Sequence, residues 1–228
     1  MTAPGLRPQA ARALALAEWG VVVRALLAGE QILDLRTDVA RDGAGDTTPP
    51  STRVWLCPTV DDQDRALVRP AYRRWVDDAA ADVAAGARDA SGRGDGPAAA
   101  PPAGTTIRVE GWAEIVGVAR LTTAEDLAKI EGKFVWTGDY ATVGLGWKPP
   151  APLWVLALRA HRLVEPITVA RGAAATGDPS WIDLAELPDD PASLPSEPAL
   201  SDEAFSARLG FAANDLPDGF SSPAQAGR

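Results

Sequence analysis

Few residues in this chain could do chemistry, and that narrows the reactions worth considering. It has one histidine, His161, and one cysteine, Cys57. They form a base and nucleophile pair only if the fold brings them together, and a lone strand histidine is more often a packed residue. Asp61, Asp62 and Asp64 offer the oxygen ligands that magnesium takes. The same carboxylates suit a helix start, where negative charge meets free amides. Glu131-Gly132-Lys133 has the Glu-x-Lys spacing of a metal-dependent nuclease, and Asp34, Asp61 or Glu114 with a nearby lysine would complete a phosphodiesterase. The glycine-rich stretches lack the Lys-Ser or Lys-Thr ending of a P-loop and the strand-to-helix setting of a dinucleotide site. No cofactor and no metal is expected, and no reaction can be assigned.

Aromatic and basic residues point to binding instead. There are eight tryptophans, and Trp112, Trp136, Trp147 and Trp154 cluster in sequence with Tyr140 and Lys148. Core packing accounts for most of them, since an indole buries a large apolar area while its N–H needs one partner. The functional alternative is stacking on a flat ligand such as a nucleobase, with Lys148, Arg159 or Arg162 meeting a phosphate. Arg36 closes the alternating stretch AGEQILDLRT just ahead of a long polar segment. The candidate ligand-binding set is Arg36, Glu114, Trp136, Thr137, Trp147, Lys148 and Arg159.

The elements that must position these residues can be read from periodicity. Leu16, Trp19, Val23, Leu26 and Leu27 recur at helical spacing up to Gly29, although Val21, Val22 and Val23 in a row also suit a strand. Gln31 to Arg36 alternates as a half-buried strand, RVWLCPT is a second strand, and residues 61–82 form an amphipathic helix that Pro70 bends or breaks. IRVEGWAEIVGVARL is a strand or a strand pair hinged near Gly111. Thr122-Thr123-Ala124-Glu125 has the form of a capping box for a helix running to Glu131. FVWT is a short strand, GDYATVGLGWKPP a loop or a single helical turn, and PLWVLALRAHRL a central strand buried on both faces.

Composition sets the outer limits. A chain of 228 residues with 46% hydrophobic side chains has enough apolar surface for a real core. No apolar run approaches the roughly 20 residues that span a bilayer, and the start lacks a basic segment feeding an apolar one, so a cytoplasmic location is expected. A single cysteine excludes an internal disulfide and a cysteine-based zinc site. The net charge is -9, and residues 172–228, with ten acidic and two basic side chains, supply -8 of it. A near-neutral body neither attracts nor strongly repels polyanions. Residues 86–104, GARDASGRGDGPAAAPPAG, carry no bulky apolar group and read as a flexible insertion in a domain spanning 1–185. Residues 186–228 read as an acidic, proline-rich, largely disordered tail with a brief helix around 202–209, able to recruit a basic protein partner.

Two resemblances add to this. EWGVVVRALLAGEQILDLR, WLCPT, GWAEIVGVARL, FVWT, WKPPAPLWVLALRAHRL and SWIDL, in that order, resemble the bacterial family called domain of unknown function 1802. The resemblance covers about residues 14–184 on both sides of the insertion. It departs after Arg36, where Thr37-Asp38-Val39 stands in place of a Lys-Gly-Gly-like turn, and it implies no established activity. Gly29 to Arg36 is also similar to the Gly-x-Lys-x-x-Glu-x-Arg signature of ASCH domains in the PUA-like superfamily, with Gln31 for the lysine and Asp34 for the glutamate. That resemblance implies a small β-barrel binding RNA or modified bases. The expected fold is α+β, a curved mixed or barrel-like sheet flanked by a few helices. The expected role is a binding module for RNA, DNA or a nucleotide-like ligand, with a metal-dependent phosphodiesterase or an acidic-tail scaffold as alternatives.

Overall fold

A computed structural model of the chain describes residues 13–37, 49–60, 63–91, 106–170, 181–184 and 186–223, with backbone alone for 83–91 and 170. Strand β1 (Leu14–Trp19) runs directly into helix α1 (Gly20–Ala28). The single helix predicted by spacing is thus divided: Leu16 and Trp19 lie in the strand, and the three valines lie in the helix. The cause is tertiary. β1 pairs in parallel with β3 (Arg53–Thr59), and that pairing overrides the local period. At the end of α1, Gly29 takes φ 73°, and its N–H returns to the Leu26 carbonyl at 3.1 Å, as a glycine C-terminal cap should.

β2 (Leu33–Arg36) pairs with the long β5 (Leu153–Ala170), which lies between β2 and β4 (Thr106–Leu121). The sheet order is β2-β5-β4-β3-β1-β6, with β6 at Trp181–Asp183 and β7 (Ser196–Pro198) added to β5. This is a mixed sheet in an α+β fold, and it is not closed into a barrel. Register shifts at Val109/Gly111 and Ile115/Gly117 mark irregularities in β4, which remains one strand through Gly111. β5 is the expected central strand: Leu153 and Val155 to Leu158 are all fully buried. β2 departs from the half-buried expectation, because all four of its residues are buried, Asp34 and Arg36 included.

Pro70 starts a 3-10 turn (Pro70–Tyr72) that leads into helix α2 (Arg73–Ser91). It therefore precedes the helix rather than breaking it, and α2 extends six residues into the segment expected to be a flexible insertion. Residues 92–104 of that insertion, and the proposed capping residues Asp61 and Asp62, lie outside the described residues. Helix α3 (Ala124–Ile130) is capped by Thr123, one position later than the Thr122–Glu125 box. The Thr123 Oγ1 accepts the Asp126 N–H at 3.1 Å and donates to Asp126 Oδ2 at 2.6 Å. The Thr123 hydroxyl, and then Lys129, hold the Asp126 carboxyl below its usual range. Thr123→Ala is expected to cost about 1 kcal/mol in a denaturant titration, and an unchanged midpoint would count against this cap. FVWT makes no sheet strand; its one ladder contact is a bridge between Val68 and Trp136.

Residues 186–223, which composition reads as a loose tail, are packed on the sheet. Leu187 and Leu194 join Trp55 and Trp112 in a cluster on one side. Phe205 and Ala212 of helix α4 (Asp202–Asn214), with Leu216 beyond it, join the main core. Tail carboxylates also pair with body cations, Asp190 with Arg53 at 3.1 Å, Asp215 with Lys133 at 2.7 Å, and Asp202 with Arg159. A few apolar anchors and complementary charge outweigh the polar average. Among the described residues no helix is long and apolar enough to cross a membrane.

Candidate functional site at the β1–β2 seam

β1 and β2 lie far apart in sheet order, yet Arg36 joins them. β6 covers β1 only over Leu14–Leu16, so the backbone from Ala17 onward has no strand neighbour on that side among the described residues. The Arg36 side chain takes that place. Its Nη2 donates to the Ala17 carbonyl at 3.0 Å and to Glu18 Oε2 at 2.7 Å, and its Nε donates to Asp34 Oδ2 at 2.8 Å. The other Glu18 oxygen accepts the Trp19 N–H at 2.7 Å, at the start of α1. Thr59 Oγ1 donates to the Glu18 carbonyl at 3.2 Å, tying in β3.

The cluster is almost dry, with Asp34 0%, Glu18 4% and Arg36 6% exposed. Charges held this deep must be paired. Burial pushes the Glu18 carboxyl up to about 8, and the neighbouring Asp34 carboxylate adds to the effect. Burial opposes the Arg36 charge, but Asp34 and Glu18 more than offset it and keep the guanidinium above its usual value. Asp34 Oδ1 has no donor among the described residues.

Aromatic rings wall the cluster. Trp136 stacks on Tyr140 with centroids 3.8 Å apart and planes 8° apart, and Trp19 meets Tyr140 edge-on at 5.2 Å. Tyr140 opens a single π-helical turn (Tyr140–Gly144), a distortion common at functional sites. Its phenol lies within electrostatic reach of Arg36. Beside these rings a shallow recess of about 10 Å³ is lined by Leu35, Glu131, Phe134, Trp136, Thr137 and Tyr140. That is far below the roughly 300–1,000 Å³ of ordinary ligand pockets and leaves room for little more than one water. The recess wall is held from two sides. Gln31 donates to the Leu33 carbonyl at 2.7 Å and accepts the Val135 N–H at 2.8 Å. Arg69 donates to the carbonyls of Trp136 at 2.9 Å and Glu131 at 2.8 Å.

The seven predicted site residues do not share one cleft. Arg36, Trp136 and Thr137 are grouped around the seam and its recess. Trp147 lies in the wall beyond, 3% exposed, with its N–H on the Ala151 carbonyl at 2.7 Å. As core it has no free face for stacking, and Trp136 has one face covered by Tyr140. Lys148 is exposed at the surface. Glu114 and Arg159 are register partners in β4 and β5. Alternation along β5 points them to the opposite side of the sheet from Trp154, the partner of Arg36. There Arg159 pairs with Asp202 and lies 5.6 Å over the Phe205 ring. His161 stacks on Trp112 at 4.0 Å, and burial, then Arg159, hold it below its usual pKa. Cys57 is buried on β3.

Residue-type reasoning passed over Glu18 and Trp19, because helical spacing placed them in a helix. The signal was available: one carboxylate inside the otherwise apolar LALAEW. Among the described residues no three His, Cys, Asp or Glu side chains come together as metal ligands. Glu131 and Lys133 do not act as a pair, since Lys133 is engaged by Asp215.

Fold and seam together define an α+β domain with an open mixed sheet whose β1 and β2 are bridged by a buried ion-pair cluster. The chain belongs to the family described as Domain of unknown function (DUF1802), which matches residues 15–210. No curated protein and no solved structure matches it.

Proposed function

We propose that this domain binds a nucleotide-like ligand, free or within a nucleic-acid strand, with Arg36 as its phosphate contact. The observation that carries the reading is how Arg36 is held. Two carboxylates and a carbonyl fix Nε and Nη2, which among the described residues leaves the Nη1 edge of a rigid fork as a preorganised donor. Trp136 and Thr137 support the reading, because Trp136 Nε1 and Thr137 Oγ1 are buried without partners among the described residues. Such atoms cost about 1–3 kcal/mol each, and a ligand edge that pairs them recovers part of it. In this reading Lys148 adds charge at the rim, whereas Arg159 belongs to the tail contact and Glu114, its register partner, lies on that side of the sheet rather than at the ligand. The likeness of Gly29 to Arg36 to the ASCH signature points the same way.

The test is a titration with mononucleotides and with short single strands of RNA and DNA, followed by tryptophan fluorescence from Trp19 and Trp136. Saturable quenching that weakens with salt, and at least about tenfold weaker binding by a folded Arg36→Lys variant, are expected. Stronger binding of strands than of mononucleotides would identify nucleic acid as the source of the phosphate. No saturable change with any of these ligands would end the proposal. The phosphodiesterase alternative has less support, because Asp34 is committed to Arg36, Glu114 points elsewhere, and Asp61 lies outside the described residues.

A further inference from the structure

Among the described residues, two carboxylates and one guanidinium leave the seam with a net charge of -1 when both acids are ionised. An unbalanced charge in a site this dry is strongly unfavourable, whatever its identity. The hydrogen bonding has a matching gap. Arg36 reaches one oxygen of each acid, the Trp19 N–H takes the second oxygen of Glu18, and Asp34 Oδ1 is left without a donor. One added proton would fill the gap and neutralise the cluster together, and Glu18 stands within hydrogen-bonding reach of Asp34.

We propose that Glu18 keeps its proton and donates it to the unpartnered Asp34 Oδ1, so that the seam is neutral when the proton is bound and carries -1 when it is lost, and that this proton governs whether Arg36 can accept an anionic ligand. The second half rests on the nucleotide-binding reading; the first does not. The charged and titratable groups facing Glu18 are Asp34 and Arg36 from β2, with Tyr140 of the π-helical turn beside Arg36. Without the proton, the negative seam repels a phosphate from Arg36, the only cation in the cluster among the described residues. With it, the cluster is neutral and that repulsion is gone. Proton release goes to solvent and needs no further reactant.

The sign of the pH dependence follows from burial favouring the protonated acid. The folded chain binds more protons than the unfolded one between the ordinary carboxyl range and about pH 8. Stability is therefore greatest in mild acid, falls as pH rises through that window, and levels off above it. Glu18→Gln mimics the protonated acid in shape and charge. It is expected to fold, to lose that slope, and to lack the protonated-carboxyl infrared band that the wild type shows at neutral pH. A wild type without that band, a Glu18→Gln variant with the wild-type slope, or one that cannot fold would each overturn the Glu18 proton.

For the coupling, the probe is a dinucleotide whose single phosphodiester keeps one charge throughout. Wild-type affinity is expected to fall about tenfold between about pH 6 and about pH 9, and the Glu18→Gln affinity to stay level. Equal pH dependence in the two proteins would overturn the coupling. Infrared evidence for the proton combined with no binding at any pH would instead count against the ligand reading alone.

Discussion

Arg36→Ala is expected to destabilise the protein by about 3–5 kcal/mol, the range for stripping one partner from a buried ion pair. For a chain of this size that corresponds to a fall in Tm of the order of 10 °C. The loss arises from what remains: Glu18 and Asp34, both almost fully buried, with no cation between them, and an Ala17 carbonyl without its donor. Net attraction in the intact cluster is a smaller quantity, because burying three charged groups is itself costly. The proposed proton sharpens the expectation. The alanine variant should be least stable at high pH, where both acids ionise, and should recover in mild acid. Adding Glu18→Gln and Asp34→Asn to Arg36→Ala should restore part of the loss. Denaturant titrations of the three proteins check this, and a loss below about 1 kcal/mol for Arg36→Ala would mean the cluster is a bystander.

Gly111→Ala should be comparably damaging for a reason unrelated to charge. A Cβ at this position would lie 2.3 Å from the His161 carbonyl oxygen and 2.4 Å from Leu27 Cδ2. The leucine tip can turn away, but the carbonyl belongs to the neighbouring strand and cannot move without parting β4 from β5. About 3 kcal/mol, the upper end of the overpacking range, is expected, independent of pH. Gly132→Ala provides the control, because nothing lies within 4 Å of its added methyl. Equal stability of the Gly111 variant and the wild type would show that the strands can part at little cost.

Local signals in the sequence located much of the fold. Continuous apolar character marked β5, the left-handed glycine marked the end of α1, and a threonine near 123 marked the start of α3. The errors have a common source. Leu16 and Trp19 follow a helical period but form a strand, because β3 supplies a pairing partner some forty residues away. Glu186 onward is polar on average, but three leucines, one phenylalanine and a few well-placed carboxylates fix it to the sheet. At the site, Arg36 stood out by type and position. Its role at the seam did not, since it depends on Glu18, whose proximity comes only from the curl of the sheet. Trp147 and Trp136 drew attention as aromatics and turned out to be mostly wall.

The edge of β1 left uncovered at first has a kinetic consequence. Leu14 to Leu16 pair with Trp181 to Asp183, and β3 alone holds β1 on the other side. During synthesis the first strand therefore waits, one edge unpaired, until nearly the whole matched region has left the ribosome. Such late long-range pairing slows folding and exposes a strand edge to other nascent chains. Expression at lower temperature should raise the soluble yield, and a chain ending before Trp181 should aggregate through β1.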